Sequence, residues 1–225
     1  MLRSHKRITR KELKQDPLVI LTAQVVEYLR NEWIKLLSVI VSVVVIIAIA
    51  LLIVKGKSKS EMNAYDTALR AYNSDAPEAV DLLKKFVDTY SSSKRSPEIL
   101  IRLGNYFFVQ KNYDSAEKYY LLYTENFSGY PIYGFNAYSG LGGLYEEKGD
   151  YHKAGEIYEE FIGHYKNSPF ITIMYLNAGK AYYFAGEKNN ALRNFNIIIS
   201  RYGDSEEKKE AIYYTELLQS NTAGI

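Results

Sequence analysis

The sequence predicts an all-α protein: an N-terminal transmembrane helix, then a solenoid of about four helix hairpins closed by a C-terminal capping helix. Three observations predict it. Leu36 to Val54 is a run of 19 residues without a charge, close to the roughly 20 that a helix needs to cross a bilayer core. Residues 61–225 repeat themselves at intervals of 37 or 38 residues, the mark of stacked units. Every periodic apolar segment has a spacing near 3.6 residues, and none alternates as a strand would.

The first 33 residues are a basic segment, with Arg3, Lys6, Arg7, Arg10, Lys11 and Lys14 among its cations. Thr9 to Glu12 has the form of a capping box, and Asp16-Pro17 that of an N-cap followed by a first-turn proline. From there Leu18, Leu21, Val25, Tyr28, Leu29 and Trp33 recur at helical spacing, so an amphipathic juxtamembrane helix leads into the span, placed at residues 34–54. Trp33 and Tyr28 stand where an aromatic belt is expected. A cleaved signal peptide is disfavoured, because the apolar run begins after 35 residues and no small-x-small site follows the run before Lys55. The span is therefore an anchor in contact with lipid over residues 36–54, and residues 55–60, rich in Lys and Ser, read as a linker.

Charge divides the chain in the same place. Residues 1–60 hold 11 Lys+Arg against 4 Asp+Glu, and residues 61–225 hold 17 against 22. An acidic larger part argues against nucleic acid as a partner, since that needs a basic face. The polybasic tail suits an anionic cytoplasmic leaflet. Its placement inside puts the C-terminal domain outside the cytoplasm, although Lys55, Lys57 and Lys59 close to the span weigh the other way.

Within residues 61–203 one pattern recurs: small-x3-large-x2-large-x3-aromatic. It reads Ala79, Leu83, Phe86, Tyr90; Ala116, Tyr120, Tyr123, Phe127; Ala154, Tyr158, Phe161, Tyr165; and Ala191, Phe195, Ile198, Tyr202. Spacings of four, three and four lie on one helical face, so each set is the second helix of a pair. First helices show in Leu103-Gly104-x2-Phe107, Leu141-Gly142-x2-Tyr145 and Ala178-Gly179-x2-Tyr182. Gly149-Asp150-Tyr151 and Gly186-Glu187-Lys188 read as the turns between them, as does Lys111-Asn112-Tyr113 without the glycine. Pro97 and Pro169, each after a serine, are expected to start helices. Residues 204–225 supply the capping helix, with Ala211, Ile212, Tyr213, Tyr214, Leu217 and Leu218 as its apolar residues, and a short tail.

These motifs resemble the tetratricopeptide repeat (TPR) family, with its aromatic-x2-Leu-Gly-x2-Tyr first helix and Ala-x3-Phe second helix. The first repeat is degenerate, offering Ala64, Ala68 and Ala71 but no Leu-Gly pair. The longer period, with Phe86, Tyr123, Phe161 and Ile198 where a small residue is usual, is similar to the bulkier repeats of bacterial envelope TPR proteins. The layout as a whole resembles single-span TPR proteins such as the ancillary subunit of the bacterial Sec translocon. That resemblance implies a cell inner membrane protein with a cytoplasmic N-terminus and a periplasmic or otherwise extracytoplasmic domain.

No catalytic constellation stands out. Cysteine is absent and only His5, His152 and His164 carry imidazole. Gly140 to Gly143 lacks the strand and the Gly-Lys-Ser/Thr of a phosphate loop. His152/Glu156 and Glu160/His164 are the only pairs at metal-ligand spacing and read as a solvated face. The expectation is a non-enzyme without cofactor or metal. The resemblance implies a partner-binding concave face lined by outward positions of the first helices: Ile101, Asn105, Phe108, Ser139, Gly143, Glu146, Glu147, Leu176, Lys180, Tyr183 and Phe184. Only Asn105 and Lys180 suit a carboxylate, whereas Glu146 and Glu147 repel one, so a hydrophobic or basic protein segment fits better. Tyr130, Tyr133 and Phe135, in the connection read from Ser128 to Asn136, form a rival partner surface or a packing plug. Two functions are expected to compete: an adaptor binding peptide segments, and a stoichiometric structural subunit of a larger membrane complex.

Overall fold

The structure, a computed structural model, describes residues 17–220. The basic tail with its capping box, the Asp16 cap and residues 221–225 lie outside the described residues. All regular structure among the described residues is helical: α1 (Pro17–Asn73), α2 (Ala79–Thr89), α3 (Ser96–Val109), α4 (Tyr113–Asn126), α5 (Pro131–Glu147), α6 (Tyr151–His164), α7 (Ile171–Phe184), α8 (Lys188–Arg201) and α9 (Glu206–Ser220). The chain divides into two units at Ser60 and Glu61.

In the first unit α1 exposes Leu37, Val39 to Val41, Val43 to Ile47, Ile49 and Leu51 to Val54. Removing such a side chain from water is worth roughly 1.5–3 kcal/mol for each leucine or valine. Among the described residues α1 is the one helix long and apolar enough to cross a membrane. Its Ser38 and Ser42 hydroxyls donate to the Lys35 and Ser38 carbonyls, at 2.7 and 2.8 Å, and so present no unpaired donor. The segment 55–60, expected as a linker, is helical. It contains one glycine and no proline, so nothing in it removes a backbone donor.

The second unit is a stack of hairpins in which α3 packs on α4, α5 on α6 and α7 on α8, while α9 covers α7 and α8. The expected second-helix residues form its core: Leu83, Ala116, Tyr123, Ala154, Phe161, Ala191, Phe195 and Ile198 are all fully buried. The Leu-Gly pairs have a steric cause. A Cβ at Gly104 would enter the ring of Tyr120, one at Gly142 the ring of Tyr158, and one at Gly179 the ring of Phe195. Each of these three glycines is the seat of a second-helix aromatic.

The many tyrosines keep their hydroxyls satisfied at the edge of this core. Tyr120 donates to Asn105, Tyr158 to Glu146, Tyr145 to Glu117, and Tyr182 to Glu159, at 2.6–3.3 Å. Among the described residues no buried side-chain nitrogen or oxygen lacks a partner, as a desolvated core demands.

Turns follow the expected chemistry with two differences. Gly149 and Gly186 sit at φ +78° and +77°, and Lys111 takes the equivalent position at φ +57°. A side chain in that left-handed conformation costs about 1–2 kcal/mol, part of which glycine returns through unfolded-state entropy. Lys111→Gly should therefore raise stability by about 0.5–1 kcal/mol, visible as a higher denaturant midpoint at unchanged slope. Pro169 does not open α7, which starts at Ile171. Instead the buried Ser168 accepts from the Phe170 amide at 3.2 Å. Ser93 and Ser205 do the same for Arg95 and Lys208. Each serine stands three residues after Tyr90, Tyr165 or Tyr202, a Tyr-x2-Ser signal in the sequence that the proline reading missed. The second difference is α5, which opens at Pro131, so the Ser128–Asn136 connection is short and both Tyr133 and Phe135 are helical.

Candidate partner-binding groove

The first helices α3, α5 and α7 put their repeat-equivalent residues on one side of the stack. Asn105, Gly143 and Lys180 each follow a Leu-Gly or Ala-Gly pair, and Phe108, Glu146 and Tyr183 come one turn later. Of the expected lining, Ile101 and Leu176 are buried in the core. The others reach the surface in different states. The Asn105 oxygen is taken by the Tyr120 hydroxyl at 2.7 Å. The Ser139 hydroxyl points at the Met174 sulfur, 3.9 Å away, across α5 and α7. Phe108 is half-buried against Tyr113, 5.8 Å between ring centres. Tyr183 packs on Tyr214 at 5.0 Å, and Phe184 stays exposed at 55%.

Charge in the groove is largely compensated from within. Lys180 donates to Glu210 of α9 at 2.7 Å and lies 5.8 Å from the Tyr214 ring. Burial would depress this ammonium, but the bond and charge of Glu210 raise it above its ordinary value. Glu146 is the opposite case. Its desolvation outweighs the Tyr158 bond and the attraction of Lys180, so its carboxyl sits above the usual carboxylate range.

A cavity of about 290 Å³ opens between α3 and α5, lined by Glu98, Ile101, Arg102, Asn105, Tyr133 and Asn136. Its floor is organised by Glu98, which accepts from Tyr65 at 2.5 Å and from Arg102 at 2.7 and 3.0 Å. Burial pushes the Glu98 carboxyl up, but the bonds from Tyr65 and Arg102 overcome it and hold the group low. Burial and this carboxylate push the Tyr65 hydroxyl up to about 12. Arg102 also lies over the Tyr72 ring at 5.2 Å. The Glu98, Arg102 and Asn136 wall was missed in sequence, although Glu98 and Asn136 stand one turn before Ile101 and Ser139 on the same helical face. Tyr133, expected on the rival loop surface, lines this cavity. Phe135 stacks on Phe170 at 4.4 Å, and Tyr130 remains 40% exposed.

Away from the groove, His152 joins α6 to the start of α8. It lies against Glu187 at 2.5 Å and Glu156 at 3.4 Å, with the Tyr182 ring 6.3 Å away. The Glu187 bond first, then its charge and those of Glu156 and Asp150, raise the His152 pKa above 6.5, while Glu187 is lowered below 4.5. A raised histidine stabilises the fold fully below its unfolded value and loses that contribution as pH rises through the folded value. Wild type should therefore exceed His152→Gln in stability near pH 6 and converge with it at alkaline pH, as pH-dependent melts would show.

Models of the tetratricopeptide repeat match residues 63–131, and 137–168 with 174–205, together more than half of the chain. No curated protein matches it. Among solved structures, the nearly identical TPR-like repeats attributed to a kinesin light chain of Podosopora anserina align with a TM-score of 0.51 at 14% identity, over 72% of this chain and 87% of that one. The MamA protein gives 0.49 at 22% identity over 76% and 80%. Pseudomonas aeruginosa pilF gives 0.47 at 17% identity over 72% and 76%. With its matched repeats, its hairpin stack and its glycine-seated aromatics, the chain belongs to the tetratricopeptide repeat family.

Proposed function

We propose that this protein is a membrane-anchored, non-catalytic TPR adaptor that holds segments of partner proteins on its concave face, at the outer face of a bacterial inner membrane. The observation that carries the reading is the groove: an open cavity beside first-helix positions whose own charges are mostly neutralised, flanked by Phe108, Tyr183 and the exposed Phe184. Such a surface offers aromatic area with a few fixed polar groups, the usual make-up of a recognition site. Anchoring by α1 raises the concentration of the groove near the membrane. The resemblance to the ancillary Sec subunit makes translocon subunits and their client chains the first partners to look for.

A second reading, a stoichiometric subunit of a larger membrane complex, draws on the exposed length of α1 before the span, where Leu18, Leu21, Val25, Leu29 and Trp33 offer a face to other helices. Purification of the full chain in mild detergent separates the two. The adaptor yields variable clients, and the subunit yields fixed stoichiometry. An enzyme reporter active only outside the cytoplasm, fused after Ile225, should be active. Activity of a cytoplasm-only reporter there would reverse the orientation.

A further inference from the structure

Most glycines inside the helices of this stack have an evident occupant. Tyr120 lies where a Cβ of Gly104 or Gly140 would be, Tyr158 fills the place at Gly142, and Phe195 that at Gly179. Gly163, exposed at the C-terminal end of α6, faces nothing within 4 Å, and Gly143 is the exception in a helix interior. It sits in the middle of α5, half-buried, and a Cβ there would meet nothing within 4 Å. Glycine in a helix interior costs about 1 kcal/mol relative to alanine, and no neighbour within the chain requires it. The equivalent positions carry Asn105 and Lys180, so Gly143 leaves a notch between two side chains, with α5 backbone at its base.

One turn further along the same face stands Glu146. It accepts from the Tyr158 hydroxyl at 3.1 Å, while the neighbouring Lys180 is turned to Glu210. The carboxylate is half-buried without a counterion in contact, and residues three apart on a helix are about 5–6 Å apart. Notch and carboxylate thus meet two adjacent groups of whatever lies across them.

Resting on the groove reading, we infer that the bound segment seats an aromatic side chain on Gly143 and sets a lysine or arginine against Glu146. The aromatic does from outside what Tyr120 and Tyr158 do from within. The cation supplies the charge that Lys180 gives elsewhere, and an acidic segment is repelled.

The test uses the full chain in nanodiscs, with empty nanodiscs subtracted, and an amidated eight-residue peptide carrying one tryptophan next to one arginine. Alanine-for-tryptophan and glutamate-for-arginine analogues accompany it. The first peptide should bind at least tenfold more tightly than either analogue. Gly143→Met, which fills the notch, should weaken it at least tenfold at unchanged circular dichroism, with Gly143→Ala as the milder control. Equal binding of the analogues, binding undiminished by Gly143→Met, or no binding of the aromatic-basic peptide at millimolar concentration overturns the inference. If binding ignores these changes yet is lost in Phe108→Ala with Tyr183→Ala, the groove reading survives and the aromatic seat falls. If that double variant binds as well, both fall.

Discussion

Alanine at Gly142 should destabilise the repeat unit by about 1–3 kcal/mol, whereas alanine at the very next residue, Gly143, should stabilise it by up to about 1 kcal/mol. The two glycines share a helix and a sequence context, and differ only in what faces them. At Gly142 the added carbon falls inside the Tyr158 ring, which is itself 3% exposed and tied to Glu146, so relief requires a buried aromatic to move. At Gly143 the added carbon meets open space and the substitution restricts only the unfolded chain. Denaturant melts of the two variants should shift in opposite directions from wild type. A shift in the same direction would mean that the glycine-seated aromatics are not what spaces the two helices of a hairpin.

Loss of the groove aromatics should have the largest effect on partner capture. Central, desolvated aromatics commonly contribute about 2 kcal/mol or more to an interface, which is roughly 30-fold in affinity for each residue. Phe108→Ala with Tyr183→Ala should therefore reduce co-purification of the partner below detection. The double variant also loses ring contacts with Tyr113 and Tyr214, so its melting temperature should fall. Its helical signal at working temperature should remain, because both side chains are only half-buried and the buried second-helix residues are untouched. Substitution of Tyr130 should leave capture unchanged. Retained capture in the groove variant would move the function to the α4–α5 corner or to α1.

The hairpin stack was legible in the sequence because its cause is local. Ala-x3-large-x2-large spacing lays one buried face on each second helix, and a glycine opposite a large side chain marks the crossing. What escaped depends on residues about 30 apart. Lys180 reads as a free groove cation until Glu210 is found against it, and Glu98 becomes a hub only when Tyr65 arrives from α1. Helix ends escaped for another reason. The lysines of residues 55–60 resemble punctuation, yet charge does not break a helix, and Pro131 serves as a first-turn residue where a loop was expected.

The central claim, that the concave face is where partners sit, is tested most directly by photocrosslinking in living cells. A photoreactive amino acid at Ser139, on the groove side of α5, should yield a discrete adduct with another protein. The same residue at Glu125, exposed on the second helix α4, should yield none. Adducts from Glu125 but not from Ser139 would contradict the account.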